Sequence, residues 1–245
     1  MRSSDKYVRS GWGDLYFYQL KKGYRFSIDT VLLASAVSLK NNSKILEAGS
    51  GEGVIPVFLT KKGKKFTYTG IEIDEELYKL SQINLQINNI DGSVIHGDFK
   101  NLKLIQSEQY DIGITNPPYF KIGTGKRNPD PVEEKARHEI TGDLDSALRF
   151  LSKGVKKKGK IYVIYPAKRL DHLILTMKKY RISPKKLLII YPAKREKANF
   201  ILCEGVKEGG EEVKVVPPLY IYSDPGQKVY TEEMKKIIET LSIEW

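Results

Sequence analysis

The stretch Glu47-Ala48-Gly49-Ser50-Gly51-Glu52-Gly53 connects two apolar segments, residues 44–48 and 54–60. The first segment has the composition of a buried strand, and the second continues as a helix. Glycines at a turn from strand to helix let the backbone approach a ligand closely, and the helix N-terminus offers N–H groups to it. A glycine-rich loop is a weak signal by itself, so the interpretation depends on the residues that follow the later strands.

Acidic residues follow the next two predicted strands. The strand over residues 68–73 carries Glu72, about 20 residues beyond the loop, where a nucleotide-binding fold places an acid for the ribose hydroxyls. A short strand over residues 93–96 precedes Asp98 and Phe99. Asp98 can accept from the exocyclic amine of an adenine while Phe99 packs on its face, but an Asx turn beside a core phenylalanine explains the pair equally well. The loop and Glu72 together indicate a ligand that contains adenosine.

The apolar segment over residues 110–115 stops at Asn116-Pro117-Pro118-Tyr119. The prolines lack the N–H that a strand ladder needs, and the residue before a proline is held in an extended conformation. The Asn116 amide and the prolyl carbonyls are therefore rigid acceptors beside an aromatic ring. Such a group can recognise an amine on a flat ring, although a Pro-Pro turn that ends a strand is the alternative explanation.

The remaining segments alternate between helix and strand. Helices are predicted over 75–88, 143–154 and 170–180, and strands over 160–165, 186–191 and 200–206. This alternation predicts an α/β fold with a Rossmann-like, doubly wound, mostly parallel sheet. We expect a single domain over residues 1–245, with an N-terminal hairpin and helix in 1–43 and a C-terminal strand and helix extension in 211–245.

The N-terminal part has its own local signals. Residues 15–18 predict a strand, and residues 21–24 predict the turn of a hairpin. Ser27 or Asp29 is expected to cap the apolar helix that follows them. For both residues a capping role is favoured over contact with a ligand.

The composition narrows the class of protein. The chain has 245 residues, of which 40% are hydrophobic, enough for the core of one large domain. No apolar run approaches the ~18 residues of a membrane span, and the first residues lack the apolar region of a signal peptide. The single cysteine, Cys203, is expected in the core, and three scattered histidines do not predict a zinc site. We therefore predict a soluble, cytoplasmic protein without a bound metal.

Positive charge is concentrated in one part of the chain. The net charge is +11, and residues 151–200 hold 15 Lys and Arg against only Asp171 and Glu196. The pentapeptide Tyr-Pro-Ala-Lys-Arg occurs twice there, at 165–169 and 191–195, each time after a predicted strand. This excess fits a polyanion such as nucleic acid, although a solvated surface also explains scattered lysines. The predicted RNA-binding residues are Lys126, Arg127 and Arg137 in the polar segment 120–138, with Lys168, Arg169, Lys194 and Arg195.

The order of these motifs resembles that of the class I, S-adenosylmethionine-dependent methyltransferases that modify exocyclic amines. Nearly the whole chain is similar to the valine-tRNA adenine-N6 methyltransferase family. The similarity includes Gly23-Tyr24-Arg25-Phe26-Ser27-Ile28-Asp29-Thr30, Ala136-Arg137-His138-Glu139, the Glu204–Gly210 stretch, Pro217-Pro218-Leu219-Tyr220 and Tyr230-Thr231. Glu47 stands where this family often has Asp, which we expect to be tolerated.

The resemblance implies a fold, a cofactor and a substrate. The fold is a seven-stranded sheet whose last strand is antiparallel, the cofactor is S-adenosylmethionine, and the substrate is the adenosine beside the anticodon of a tRNA. The implied catalytic residues are Asn116, Pro117, Pro118 and Tyr119. The implied cofactor-binding residues are Glu47, Gly49, Ser50, Gly51, Glu72, Ile73, Asp98, Phe99 and Asn116.

Three other functions remain open from the sequence. A ribosomal RNA base is the nearest alternative target. A protein glutamine amide is the next, although the release-factor enzymes have a separate domain ahead of the glycine loop, whereas about 40 residues precede the first strand here. A non-catalytic RNA-binding module with a vestigial cofactor fold is the alternative from a different class, and the intact Asn-Pro-Pro-Tyr motif argues against it.

Overall fold

The computed structural model describes residues 6–21, 26–117, 144–226 and 228–245. Its strands are β1 (Tyr7–Trp12), β2 (Leu15–Leu20), β3 (Ser43–Ala48), β4 (Phe66–Glu72), β5 (Gly92–His96), β6 (Tyr110–Thr115), β7 (Val155–Pro166), β8 (Ile182–Tyr191), β9 (Phe200–Lys207), β10 (Lys214–Val215) and β11 (Leu219–Tyr220). Its helices are α1 (Ile28–Ala36), α2 (Val54–Thr60), α3 (Glu75–Ile87), α4 (Leu144–Gly154), α5 (Leu170–Lys179) and α6 (Glu232–Thr240).

The central sheet has the strand order β10-β8-β9-β7-β6-β3-β4-β5, and β11 also pairs with β8. Neighbouring strands are parallel except at β9, which runs antiparallel to both β7 and β8. The prediction of a mostly parallel, doubly wound sheet with an antiparallel last strand is confirmed. The sheet nevertheless has nine strands and not seven, because the two-residue strands β10 and β11 extend it along the outer edge of β8.

Helices cover both faces of this sheet and form two hydrophobic cores. One core contains α1, α2 and α6, with Leu32, Phe58 and Met234 buried against the sheet. The other contains α4 and α5, with Leu148 and Met177 buried. Strands buried on both faces are rich in Val, Ile and Leu because both sets of side chains pack against helices. Because β3, β4, β5, β6 and β7 are parallel, their carboxyl ends lie along one edge of the sheet, between the two helical layers.

The N-terminal hairpin differs from the prediction. Strands β1 and β2 pair antiparallel with Trp12 opposite Leu15, so the turn consists of Gly13 and Asp14. Gly13 has φ +60°, a value that glycine adopts without steric cost. The turn of the hairpin was predicted at 21–24, beyond β2, and therefore in the wrong place; of these positions Lys21 follows β2, and the other three lie outside the described residues. Strand β1 was not predicted, because Arg9, Ser10 and Gly11 interrupt any apolar alternation.

None of the helices in the described ranges has both the length and the apolar character needed to cross a membrane.

Candidate active site

The sheet order brings the predicted motifs to one place. Strands β6, β3 and β4 are adjacent and parallel, so their carboxyl ends lie side by side. The glycine loop follows β3, Glu72 ends β4, and Asn116 follows β6. Asp98 and Phe99 come shortly after β5, the neighbour of β4. Ligands of open α/β sheets bind at this edge, outside the carboxyl ends of the strands.

The glycine loop is held by its own backbone. The N–H groups of Gly49 and Ser50 both donate to the Ile71 carbonyl at 3.0 Å, and the N–H of Gly51 donates to Glu72 Oε2 at 2.7 Å. These three amides are therefore bonded within the fold. The loop contributes open space instead. A Cβ added at Gly51 would meet nothing within 4 Å, and one at Gly49 would meet only the Phe99 ring at 3.8 Å.

One polar group in the loop has no partner. The Ser50 side chain is 6% exposed, and its hydroxyl makes no hydrogen bond to the residues that the structure describes. A buried hydroxyl without a partner is unfavourable by about 1–3 kcal/mol. The Ser50 side chain and the Tyr68 hydroxyl both lie against Gly70 on β4.

Glu72 is 7% exposed, and its carboxylate connects the glycine loop to the start of α3. Its Oε1 accepts from the Asp74 N–H at 2.9 Å, and its Oε2 accepts from the Gly51 N–H at 2.7 Å. Burial raises the pKa of this carboxyl. A carboxylate has about four acceptor positions, so Glu72 can bind a pair of hydroxyls while it keeps both backbone partners.

Glu47 has a different environment. It is 2% exposed at the end of β3, and its Oε2 accepts from the Tyr68 hydroxyl at 2.5 Å. Burial raises the pKa of the Glu47 carboxyl to about 8, although the hydrogen bond from Tyr68 lowers it. Glu47 thus lies beneath the loop, bonded to a buried tyrosine.

The residues predicted to contact an adenine lie beyond β4 and β5. Asp98 Oδ1 accepts from the Lys100 N–H at 2.8 Å, which is the Asx turn that the sequence allowed, and the other oxygen has no partner within the described ranges. Phe99 is half-buried and lies 6.3 Å from the Phe150 ring, centroid to centroid. Ile73 is an exposed apolar side chain at the end of β4, 38% accessible. An aromatic ring and an aliphatic side chain at adjacent strand ends suit the two faces of a flat base.

Asn116 is fixed by a residue from a distant part of the chain. Its Nδ2 donates to Asp29 Oδ2 at 3.2 Å, and the following Pro117 is buried. Asp29 was predicted as a helix cap, but Ser27 occupies the N-cap position of α1 and makes no side-chain capping bond. The sequence feature that could have revealed this role of Asp29 is a carboxylate directly next to an apolar helical run. The predicted site residues Pro118 and Tyr119 lie outside the described residues.

The predicted RNA-binding residues after β7 and β8 are placed at the same edge. Strand β7 pairs parallel with β6, and β8 has the same direction because both β7 and β8 are antiparallel to β9. Lys168-Arg169 and Lys194-Arg195 therefore follow the carboxyl ends of β7 and β8. Lys168, Lys194 and Arg195 are exposed. Arg169 is half-buried, with its guanidinium 5.1 Å from the Tyr165 ring centroid. Lys126, Arg127 and Arg137 lie outside the described residues.

Two other features do not belong to this site. A surface pocket lined by Asn42, Lys64 and Asp91 lies at the amino-terminal edge of the sheet, opposite the motifs. Within the described residues, no group of three or more His, Cys, Asp and Glu side chains could hold a metal ion.

Comparison with known proteins supports this description of the fold. Residues 24–135 match the family model described as the methyltransferase small domain. The chain is 24% identical over 218 residues to a protein of Pedobacter heparinus named tRNA1(Val) (adenine(37)-N6)-methyltransferase, an alignment that covers 88% of this chain and 89% of the relative. Further relatives of the same name align over shorter stretches, 57% to 65% of their own length.

Solved structures show the same fold at low sequence identity. A predicted O-methyltransferase from Agrobacterium tumefaciens superposes with a TM-score of 0.67 at 18% identity, covering 88% of this chain and 98% of that one. A proposed class I S-adenosylmethionine-dependent methyltransferase from Listeria monocytogenes gives 0.55 at 16% identity, over 87% and 69% of the two chains. Residues 24–135 are therefore similar to the methyltransferase small domain, and the chain has the α/β fold of the class I methyltransferase structures that it superposes on.

Proposed function

We propose that this protein transfers a methyl group from S-adenosylmethionine to the N6 amine of an adenine in tRNA, the adenosine beside the anticodon. The observation that carries the proposal is the position of Asn116 directly after β6, beside the glycine loop of β3. The name of the relatives agrees with this substrate. A tRNA substrate also implies a cytoplasmic location.

The residues at the site fit S-adenosylmethionine. The open space over Gly49 and Gly51 provides room for it. Glu72 binds the ribose hydroxyls with its remaining acceptor positions. Asp98, Phe99 and Ile73 bind the adenine, and Glu47 supports the loop from below. When bound, the cofactor supplies an electrophilic methyl group.

The protein's contribution to the chemistry is to position the adenine amine. The lone pair of an N6 amine is delocalised into the ring, so the amine is a weak nucleophile. The side-chain oxygen of Asn116 and the carbonyl of Pro117 accept its two hydrogens, which favours tetrahedral geometry and makes the lone pair available. Tyr119 stacks on the base after it has left its own stack. As the nitrogen bonds to the methyl group, the sulfur–methyl bond would break, and the cationic methylated amine would then release one proton to water. This arrangement requires no titrating general base and works by orientation.

The cations at the carboxyl edge bind the RNA backbone. Lys168, Lys194 and Arg195 are exposed beside strands parallel to β6. Arg169 extends this basic surface. Lys126, Arg127 and Arg137 lie outside the described residues, and their role in RNA binding is proposed from the sequence alone. Phosphate contacts of this kind position an RNA without reading its sequence.

The test is methyl transfer by the purified chain to a defined panel of substrates. The panel contains tRNA transcripts, ribosomal RNA fragments and a release-factor domain, and nucleoside and peptide mass spectrometry identifies the product. We expect N6-methyladenosine in a tRNA, next to the anticodon. Methylation of only ribosomal RNA or only a glutamine amide would replace the proposed substrate, and no transfer at all would favour a non-catalytic binding module.

The Asn116→Ala variant tests the role of the motif. Loss of the amide acceptor should lower kcat by about 100-fold or more, the usual effect of removing one group that acts on the reacting atoms. Binding of tRNA should persist because Asn116 does not contact phosphates. Loss of tRNA binding in proportion to kcat would show that Asn116 is structural.

A further inference from the structure

Helix α1 carries a buried carboxylate in an otherwise apolar and small-residue segment. Asp29 is 3% exposed, and every later residue of α1 is buried as well. Burying an ionised carboxylate is costly unless hydrogen-bond donors surround it. The donors that face Asp29 therefore define what this side chain does.

The two oxygens of Asp29 have different partners. Oδ1 accepts from the Thr30 N–H at 2.8 Å and from the Ser27 hydroxyl. Oδ2 accepts from Asn116 Nδ2 at 3.2 Å, across 87 residues of sequence. The contacts with Thr30 and Ser27 are local to the start of α1, so they anchor the carboxylate independently of Asn116.

The contact with Asn116 determines which way its amide points. An ionised carboxylate accepts hydrogen bonds and cannot donate them. The side of the Asn116 amide that faces Asp29 is therefore the NH₂ group, and the assignment of oxygen and nitrogen follows from the bonding network. The oxygen and the NH₂ group of a side-chain amide point in different directions from the same carbon atom. Because the NH₂ group faces Asp29, the oxygen of Asn116 is directed away from Asp29.

We propose that Asp29 is a positioning residue that holds the Asn116 amide with its oxygen toward the substrate amine. This inference rests on the proposed function, because it assigns the amide oxygen to the adenine N6 group. With the amide reversed, Asn116 would present an NH₂ group to an NH₂ group. The acceptor that raises the reactivity of the amine would then be absent, although every residue of the motif is still present.

The Asp29→Asn variant separates orientation from packing, because it is nearly isosteric. Its Oδ1 keeps the Thr30 N–H and Ser27 hydroxyl, so its own NH₂ group faces Asn116. Two NH₂ groups repel, and the Asn116 amide turns over. We expect kcat to fall about 100-fold, with unchanged Kd values for S-adenosylmethionine and tRNA and an unchanged Tm. Equal losses in kcat and in binding, or a kcat within twofold of wild type, would overturn the inference.

The matched control is Asp111→Asn, which makes the same chemical change near the opposite end of β6. Asp111 accepts from the Lys44 N–H at 2.9 Å and from Lys156 Nζ at 2.8 Å, and it contacts none of the site residues. Its kcat should equal that of wild type. A loss in this variant as large as that in Asp29→Asn would mean that the effect comes from removing a negative charge and not from the contact with Asn116.

A second measurement does not depend on activity. The ¹⁵N-labelled side-chain amide signal of Asn116 is identified as the signal missing from Asn116→Ala. We expect Asp29→Asn to shift this signal, because its protons leave a carboxylate, and Asp111→Asn to leave it in place. If wild type methylates no tRNA but the signal responds, the proposed function fails and the orienting contact stands. An unmoved signal would refute the contact itself.

Discussion

Three of the buried carboxyl groups at the carboxyl edge of the sheet have different kinds of partner. Asp29 is bonded to Asn116, Glu47 to the Tyr68 hydroxyl, and Glu72 to backbone N–H groups. Burial raises the pKa of a carboxyl group, whereas hydrogen-bond donors to the carboxylate lower it. Glu72 faces two N–H donors that favour its charged form, whereas Glu47 has one hydroxyl against complete burial, which raises its pKa to about 8.

The raised pKa of Glu47 predicts a pH dependence of stability. Its pKa is about 8 in the folded protein, against the ordinary value of 4.5 that a glutamate has in an unfolded chain. The folded protein therefore binds more protons between these values, and its free energy of unfolding falls as pH rises from about 4.5 to about 8, by at most about 1.4 kcal/mol per pH unit. Glu47→Gln cannot ionise, so its urea-unfolding free energy should change less over this range. Equal slopes for variant and wild type would show that Glu47 is ionised throughout.

At the level of elements, side-chain hydrogen bonds connect the N-terminal hairpin to the glycine loop. Asn84 on α3 is fully buried, and its Nδ2 donates to the carbonyls of Tyr18 at 2.9 Å and of Glu52 at 2.7 Å. Its Oδ1 accepts from the Tyr18 N–H at 2.7 Å. The Glu52 carboxylate accepts from the Leu20 N–H at 2.9 Å and from the Gln19 side chain at 3.0 Å. The hairpin and the loop thus share one hydrogen-bonded junction.

Asn84→Ala should destabilise the protein by about 2–4 kcal/mol, because it leaves buried backbone groups without partners. The matched control is Asn88→Ala, at the C-cap position of α3. Asn88 is only half-buried and donates to the Tyr16 carbonyl at 2.9 Å, so its loss should cost less than about 1 kcal/mol. Urea unfolding measures both variants. Equal losses of unfolding free energy in the two variants would mean that the buried contacts of Asn84 contribute no more to stability than the half-buried contacts of Asn88.

At the level of the whole molecule, exposed cations lie at both edges of the sheet, but only those at the carboxyl edge accompany the candidate site. Lys168 follows β7, the neighbour of β6, and Lys194 and Arg195 follow β8, three positions from β6 in the sheet order. At ~4.8 Å between neighbouring strands, β8 ends roughly 14 Å from the end of β6. An RNA bound with its target base at Asn116 can therefore reach all three cations.

Replacing Lys168, Lys194 and Arg195 with Ala should weaken tRNA binding and flatten its dependence on salt. Each lost phosphate contact reduces the slope of log K against log salt by roughly 0.7–0.9, so the slope should change by up to about 3. S-adenosylmethionine affinity should stay the same. Arg169 is kept in this variant because its guanidinium stacks on Tyr165, so its loss would also disturb packing.

A control variant makes the same charge change at the opposite edge. Lys40, Lys64 and Lys65 are exposed near the amino ends of β3 and β4. Their joint replacement with Ala should leave tRNA affinity and its salt slope close to those of wild type. If both triple variants lose affinity equally, only the net charge matters, and the basic carboxyl edge is not the RNA-binding surface.

The order of elements and the position of the candidate site could be predicted from the sequence, because they depend on local signals. Apolar periodicity, the glycines of the 49–53 loop and the prolines after Asn116 each restrict the backbone nearby. Alternating strands and helices then require parallel strands with their carboxyl ends at one edge. Strand β1 lacked such a pattern, and β10 and β11 are two residues each, too short for periodicity to reveal.

Only the tertiary structure decided which side chains meet at that edge. Asp29 and Asn116 are 87 residues apart, and Asn84 and Tyr18 are 66 residues apart. A helix cap and a polar position on an amphipathic helix were sufficient local explanations for Asp29 and Asn84. Contacts over such separations depend on the strand order and on how the helices pack against the sheet, and no periodicity in the sequence encodes either. The sequence by itself therefore determined the fold and the motifs, whereas the orientation of the Asn116 amide required the folded chain.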